Sequence, residues 1–196
     1  VNTGNNPPTV NAGANYTIPK ETPFTLTATG NDPDGDALTY SWEQLDLGAA
    51  GPPNTDDGQT RPLFRSFAPT TNPSRTFPQM QYVLAGNLPT TYQSNGRTYL
   101  TGESYPTTNR TLNFRVTARD NRANGGGVNS GAMQINVNAA AGPLVVTAPA
   151  ADVRLAPGSA QTVTWNVAGT NAAPINAANV RLTLSTDGGQ TFPQVL

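Results

Sequence analysis

Three aspartates, Asp32, Asp34 and Asp36, lie within five residues of one another around Gly35. Carboxylates at this spacing repel one another unless a cation or hydrogen-bond donors neutralise them. Hard oxygen ligands suit Ca²⁺, which takes about six to eight oxygens at roughly 2.3–2.6 Å. The same residues also fit a polar turn in which Asp and Gly serve only the backbone geometry. The sequence therefore offers a candidate Ca²⁺ site and, as the alternative, a bare acidic turn.

A fourth carboxylate, Asp120, is the next candidate ligand. It stands at the end of a predicted strand, just before a glycine-rich turn at residues 124–127. In a β-sandwich, loops from different strands meet at the same end of the fold, so Asp120 can reach the acidic loop. The site would not be an EF-hand, because the patterns on both sides of the loop predict strands rather than helices.

The residues that catalysis usually needs are scarce. The chain has no His and no Cys, and Lys20 is its one lysine. These absences remove most nucleophile–base pairs, most zinc sites and the usual proton shuttle at neutral pH. A carboxylate pair such as Glu43 with Asp46, or Asp56 with Asp57, has no supporting residues around it. We therefore expect a non-catalytic protein.

Charge and hydropathy exclude two classes of partner. Charged residues make up 12% of the chain and the formal net charge is -1. This balance gives no electrostatic reason to expect nucleic acid as a partner. No apolar run approaches the roughly 20 residues that a membrane helix needs, so we expect no membrane insertion.

Several segments alternate apolar and polar residues with a period of two, which is typical of half-buried β-strands. The clearest are residues 24–29, 38–45, 111–120 and 131–138. The 19 Gly and 18 Pro residues are spread between such segments, as expected for many short strands and turns. The pattern predicts an all-β immunoglobulin-like β-sandwich, with Trp42 in its core.

The composition divides the chain into two modules. Residues 1–7 are polar and rich in Gly, Asn and Pro, which predicts a linker. Residues 8–140 form the first sandwich, with a large loop-rich insertion at about 48–108. A stretch of small residues follows, and residues 143–196 begin a second sandwich pattern. This second module has about four predicted strands where a sandwich needs about seven, so we expect it to be incomplete.

The insertion is weakly patterned, and a structureless connection of this length is unusual in a compact domain. We expect short strands at 63–67, 75–77 and 97–100, with a helical turn near Met80–Leu84. The insertion also carries four tyrosines, Tyr82, Tyr92, Tyr99 and Tyr105. Exposed aromatic rings there could stack on sugars or grip a protein, while local packing is the other interpretation.

Parts of the chain resemble known families. Residues 6–13, the acidic loop and residues 38–42 look like the polycystic-kidney-disease (PKD) and cadherin-like modules of secreted bacterial proteins. Residues 41–44, 61–67 and 110–127 look like the non-catalytic region that follows the catalytic domain in bacterial reprolysin-like zinc metallopeptidases. The resemblance covers about residues 6–196. The HExxH zinc motif of those enzymes is absent, because the chain has no His.

The resemblance implies a ligand set. In PKD modules an asparagine before the first strand, the acidic loop and an aspartate after the sixth strand hold calcium. The matching positions here are Asn6, Asp32, Asp34 and Asp120. Asp36 either contributes or caps the turn, and Asn5 fits the asparagine position as well as Asn6 does.

The resemblance also implies a role. It predicts an extracellular accessory module that spaces or positions a catalytic domain of the same polypeptide, stabilised by Ca²⁺. The alternative is an adhesion module that binds polysaccharide or a protein substrate through the 48–108 insertion.

A separate motif lies near the end of the chain. Residues 185–192, STDGGQTF, resemble the Asp-box of sialidases and other β-propellers, with Phe in place of Trp. In those proteins the box is a hairpin turn away from the active site. One copy in a sandwich pattern does not predict a propeller, so we expect a structural hairpin.

Overall fold

The computed structural model of the chain describes residues 3–49, 57, 59–84, 91–94, 97–100, 103–149 and 153–196. These residues contain fourteen strands and one short helix. The prediction of an all-β, sandwich-like chain is confirmed.

The first module holds ten strands and the helix. Their bounds are β1 Thr9–Asn11, β2 Tyr16–Pro19, β3 Phe24–Thr27, β4 Thr29–Asn31, β5 Thr39–Gln44, β6 Ser74–Phe77, α1 Met80–Leu84, β7 Thr91–Ser94, β8 Arg97–Leu100, β9 Arg110–Arg119 and β10 Val128–Asn138. The main sheet has the order β2-β10-β9-β5, with β2 parallel to β10 and the other neighbours antiparallel. The pairs β1-β4, β3-β6 and β7-β8 form three smaller, two-stranded sheets.

The core follows from the alternation along β9. Leu112, Phe114, Val116 and Ala118 are all fully buried, as the period of two predicts. Trp42 on β5 is 3% exposed, and its indole Nε1 donates a hydrogen bond to the carbonyl of Pro73 at 2.9 Å. The prediction that Trp42 lies in the core is confirmed.

Four phenylalanines join the main sheet to the β3-β6 sheet. Phe24 on β3 stacks on Phe77 on β6 with ring centroids 5.4 Å apart, and Phe77 lies 4.9 Å from Phe114. Phe64 comes from the insertion and packs edge-on against Phe77 at 5.2 Å. Burying one such side chain contributes about 1.5–3 kcal/mol. The insertion therefore supplies part of the core of the sandwich.

The predicted elements of the insertion are partly correct. Residues 75–77 fall within β6, residues 97–100 are β8, and α1 occupies Met80–Leu84. The prediction of a strand at 63–67 is wrong. The side-chain oxygen Oε1 of Gln44 accepts hydrogen bonds from the backbone N–H groups of Leu63 and Phe64. These N–H groups therefore cannot bond to a neighbouring strand.

A buried charge links separate parts of the insertion to one another. Glu103 is fully buried and pairs with the Arg75 guanidinium at 2.7 Å. Its carboxylate also accepts the backbone N–H of Gln79 at 2.6 Å and that of Arg65 at 3.3 Å. Burial raises the pKa of Glu103. The cost of burying this charge is offset by an ion pair and hydrogen bonds on the same carboxylate.

A second buried carboxylate ties the insertion to the start of β9. Asp57 is 2% exposed and accepts hydrogen bonds from the backbone N–H groups of Thr107 and Thr108. The Arg110 guanidinium lies 3.9 Å from its Oδ1 and donates to its backbone carbonyl at 3.1 Å. The insertion is thus held together at Glu103, linked to β9 through Asp57 and Arg110, and joined to the core by Phe64.

The second module has four short strands in two pairs. Their bounds are β11 Val145–Ala148, β12 Thr164–Asn166, β13 Thr183–Leu184 and β14 Gln194–Val195. β11 pairs with β12, and β13 pairs with β14. Among its described residues only Thr170 and Gly189 are buried. Two-stranded sheets of this kind bury too little to be stable alone.

Candidate metal centre

The acidic loop connects β4 to β5. Its turn closes with a hydrogen bond from the Gly35 N–H to the Asp32 carbonyl at 3.2 Å, and Gly35 has a φ of 80°, which favours glycine. The Asp32 side chain accepts the backbone N–H groups of Asp34 at 2.9 Å and Asp36 at 3.2 Å through Oδ1. This local network folds the loop so that the three carboxylates converge.

Asp32, Asp34 and Asp36 form one cluster. A carboxylate oxygen from each lies within 4.8 Å of the other two. Asp32 is 8% exposed, and its Oδ2 is buried with no hydrogen-bond partner among the described residues. Oδ2 of Asp36 is also buried and has no hydrogen-bond partner among the described residues. Buried, unpartnered carboxylate oxygens are costly unless a cation or a donor reaches them, so this donor set fits a hard metal ion.

Asn6 lies against this cluster. Its backbone N–H donates to Oδ2 of Asp34 at 2.7 Å, and its Nδ2 donates to Oδ1 of Asp34 at 3.0 Å. These two bonds lower the pKa of Asp34. Asn6 therefore lies beside the acidic loop, and its two N–H groups bind Asp34 directly.

Asp120 lies outside the group of three. Its carboxylate accepts Nδ2 of Asn5 at 2.7 Å, the backbone N–H of Arg122 at 3.1 Å and the backbone N–H of Gly127 at 2.8 Å. The hydrogen bond from Asn5 is the main reason that the pKa of Asp120 is lowered. In this structure Asp120 ties the glycine-rich turn to the N-terminal segment, residues 3–8.

The glycine-rich turn and the N-terminal segment are in close contact. A Cβ at Gly127 would lie 2.7 Å from Cα of Pro7 and 2.8 Å from Oδ2 of Asp120. A Cβ at Gly125 would lie 2.4 Å from Cγ2 of Thr3. The close approach of backbone favours glycine at position 127, whereas at position 125 the Thr3 side chain would have to move. The described part of the predicted linker therefore packs on the acidic end of the sandwich, and the buried Pro8 follows it.

One charged residue at the candidate site, Arg122, was missed in the sequence. Nη1 of Arg122 lies 3.6 Å from Oδ2 of Asp34 and 3.7 Å from Oδ2 of Asp36. The same atom donates to Oδ1 of Asn5 at 3.2 Å. The sequence did contain one signal for Arg122, because it lies two residues after Asp120 in the connection that faces the acidic loop.

Glu43 occupies the twelfth position counted from Asp32, where an EF-hand loop has its bidentate glutamate. Here Glu43 lies on β5 and pairs with Arg115 of β9 at 3.0 Å. The acidic positions of an EF-hand are thus present, but position six is Ala37 instead of glycine. Glu43 also lies on a strand that leads away from the loop.

The other candidate surface is the insertion. Tyr82 and Tyr105 are half-buried, and burial raises the pKa of Tyr105. The side chains of Tyr92 and Tyr99 lie outside the described residues. A cavity of about 320 Å³ opens where the insertion meets β5, lined by Tyr40, Trp42, Phe67, Arg75, Met80 and neighbouring residues.

The Asp-box motif forms the turn between β13 and β14. Oδ1 of Asp187 accepts the backbone N–H of Thr191 at 2.9 Å, and Oδ2 accepts its hydroxyl at 2.6 Å. The Ser185 hydroxyl donates to Oδ1 of Asp187 at 2.7 Å. These bonds, the one from the Thr191 hydroxyl foremost, lower the pKa of Asp187 to about 2. The motif holds its own hairpin, as predicted.

No family model, curated protein or solved structure matches this chain. The resemblance to PKD modules and to the metallopeptidase region therefore stays a prediction. In the described part of the chain, no helix has the length and hydropathy to cross a bilayer.

Proposed function

We propose that this chain is a non-catalytic β-sandwich module that binds Ca²⁺ at its acidic loop and thereby rigidifies the segment through which the chain enters the sandwich. The observation that carries the proposal is the convergence of Asp32, Asp34 and Asp36 on one point. Two of their buried oxygens have no hydrogen-bond partner among the described residues. A divalent cation would satisfy both.

Ca²⁺ suits this donor set better than Mg²⁺ does. Mg²⁺ demands near-ideal octahedral geometry and keeps most of its water, whereas Ca²⁺ accepts irregular sets of carboxylates, carbonyls and water. The loop offers three carboxylates of unequal burial on one irregular turn. An extracellular module with a weak site would be occupied at millimolar Ca²⁺.

The mechanical consequence comes from Asn6. Its two hydrogen bonds to Asp34 link the N-terminal segment directly to a proposed ligand. A cation that fixes Asp34 therefore also fixes Asn6 and the chain that leads into Pro8. A ligand that binds only the folded state stabilises it by RT ln(1 + [L]/Kd).

The link between Asn6 and the acidic loop supports a spacing or positioning role. We propose that the module holds a neighbouring domain of the same polypeptide in place outside the cell, in keeping with the resemblance to the accessory regions of secreted zinc metallopeptidases. The lack of His and Cys supports a non-catalytic role. The buried carboxylates Glu103 and Asp57 are engaged by structural donors rather than paired as acid and base.

Binding of a polysaccharide or protein is the second candidate function. The cavity beside the insertion favours it, because Phe67 is 38% exposed there and its ring faces the Arg75 guanidinium at 4.4 Å. Aromatic rings and guanidinium groups are common in sites for sugars and peptides. Retention on chitin, cellulose or collagen that Phe67→Ala abolishes would support this function over the first.

Calorimetric titration with Ca²⁺ tests the leading proposal. The wild-type chain should bind Ca²⁺ and melt at a higher temperature in Ca²⁺ than in EDTA. Asp32→Asn should lose both effects, because it removes the buried charge of the cluster. Glu21→Gln is the matched control, since it removes the same charge from an exposed turn. Equal melting of the wild type in Ca²⁺ and EDTA, without heat on titration, would contradict the proposal.

A further inference from the structure

The positively charged guanidinium of Arg122 lies beside two of the carboxylates that form the candidate metal centre. Its Nη1 lies 3.6 Å from Oδ2 of Asp34 and 3.7 Å from Oδ2 of Asp36. We infer that Arg122 is a tethered counter-ion that competes with the divalent cation for these oxygens and so sets the affinity of the site. The inference rests on the proposed Ca²⁺ site and concerns what determines its occupancy.

The guanidinium lies near these oxygens without satisfying them. Both distances exceed those of a charge-assisted hydrogen bond, which lie near 2.7–2.9 Å. Oδ2 of Asp36 has no hydrogen-bond partner among the described residues even with Arg122 beside it. The arginine therefore neutralises charge while leaving lone pairs available. A divalent ion that takes those lone pairs must occupy the space that Nη1 now approaches.

Arg122 is held in a way that lets its side chain leave. Its backbone N–H stays bound to Oδ1 of Asp120 at 3.1 Å. Its side chain is 41% exposed, so the guanidinium can move into water. Asn5, which accepts from Nη1, keeps its own bonds to Asp120 and to the carbonyl of Gly125. Displacement of the guanidinium thus leaves the surrounding turn intact.

Two opposite effects follow from this geometry. Without metal, the guanidinium relieves the repulsion among the aspartates and stabilises the loop. With metal, a positive charge next to a divalent ion is repulsive unless the side chain moves away. Removal of the charge should therefore weaken the metal-free fold and strengthen metal binding.

Arg122→Gln and a matched control, Arg115→Gln, test the inference. Arg115 is similarly exposed, at 44%, and pairs with a single carboxylate, Glu43, on the face of the main sheet. In calorimetric titration with CaCl₂, R122Q should bind about three- to tenfold more tightly than the wild type. R115Q should bind like the wild type, and Arg122→Lys should stay close to the wild type because it keeps the charge.

The outcomes separate the inference from the proposal beneath it. Equal affinities of wild type and R122Q would overturn the competition and leave the Ca²⁺ site standing. Absence of Ca²⁺ binding in both chains at millimolar concentration would overturn the Ca²⁺ site itself. Tighter binding by R115Q as well would show a general charge effect and would also overturn the role of Arg122.

Thermal melting gives a second, independent measurement. In EDTA, R122Q should melt below the wild type, because the three aspartates lose their counter-ion. In saturating CaCl₂, the order should reverse or the two midpoints should coincide. A midpoint of R122Q that stays below the wild type by the same amount in both conditions would contradict the inference.

Discussion

Asp34 receives two hydrogen bonds from the single residue Asn6, one from its backbone N–H at 2.7 Å and one from its Nδ2 at 3.0 Å. The two residues belong to different elements, the N-terminal segment and the loop between β4 and β5. This pair therefore carries the direct link between the incoming chain and the acidic loop. It also makes the stability of the fold depend on the charge of Asp34.

The Asn6–Asp34 pair predicts a dependence of stability on pH. The hydrogen bonds from Asn6 lower the pKa of Asp34 in the folded state below its unfolded value. A lowered pKa contributes stability that is present above the unfolded pKa, about 3.9, and lost as the pH falls through the folded pKa. Asn6→Ala removes one of the two bonds. It should therefore lower the melting temperature at neutral pH and have less effect at low pH.

Melting of wild type and Asn6→Ala in EDTA, between about pH 6 and pH 2, measures this difference. Only the difference between the two chains reports on Asp34, because burial raises the pKa of Glu103 and so acts with the opposite sign. Thr9→Ala is a suitable control, since Thr9 Oγ1 makes an exposed hydrogen bond to an uncharged carbonyl, that of Asn31. A constant difference between wild type and Asn6→Ala across this range would contradict the assignment.

The buried pair of Glu103 and Arg75 predicts a large loss of stability when one partner is removed. Glu103→Ala leaves the Arg75 guanidinium uncompensated and frees the backbone N–H groups of Gln79 and Arg65. Breaking a buried ion pair typically costs about 3–5 kcal/mol. Chemical denaturation should show this loss in the free energy of unfolding. Glu43→Ala, which breaks the exposed pair with Arg115, should cost about 0–1 kcal/mol. Similar costs for the two variants would contradict the structural role of Glu103.

The turn at Gly127 predicts a steric effect on both stability and Ca²⁺ affinity. A Cβ there would approach Pro7 and Asp120 to below 3.0 Å, so the backbone of the N-terminal segment must shift. We expect Gly127→Ala to destabilise the fold by about 1–3 kcal/mol. We also expect it to weaken Ca²⁺ binding, because the segment that holds Asp34 through Asn6 moves.

Gly126→Ala is the neighbouring control for this prediction. Its Cβ would meet Oδ1 of Asp120 at 3.1 Å and the carbonyl of Arg122 at 3.2 Å, which requires a smaller adjustment. The loss of stability and of affinity should therefore be smaller than for Gly127→Ala. Melting and Ca²⁺ binding of Gly127→Ala like those of the wild type would contradict the close packing of the turn against the N-terminal segment.

Most of the sandwich could be predicted from the sequence, because the relevant rule is local. In a strand successive side chains point to opposite faces, so the alternation of Leu112, Phe114, Val116 and Ala118 is enough to predict one buried face. The same rule places Trp42 in the core.

The alternation rule failed where a side chain from a distant part of the chain bonds to the backbone. Residues 63–67 have the composition of a strand, yet Oε1 of Gln44 takes two of their backbone N–H groups. Nothing in the local sequence pattern distinguishes Glu103 and Asp57 from exposed polar residues of a loop. Their burial depends on Arg75 and Arg110, which are distant in the chain. Pairings of this kind leave no periodic signal in the sequence.

The sequence by itself determined the candidate site as far as the spacing of Asp32, Asp34 and Asp36, because a turn of five residues brings its own carboxylates together. Only the tertiary structure decided what surrounds them. In the tertiary structure Asn6 donates hydrogen bonds to Asp34, and Asp120 accepts hydrogen bonds from backbone and amide N–H groups. The guanidinium of Arg122 lies beside the cluster. The physical reason is that these contacts join segments that are far apart in the chain, and the packing of the sheets brings those segments together at one end of the sandwich.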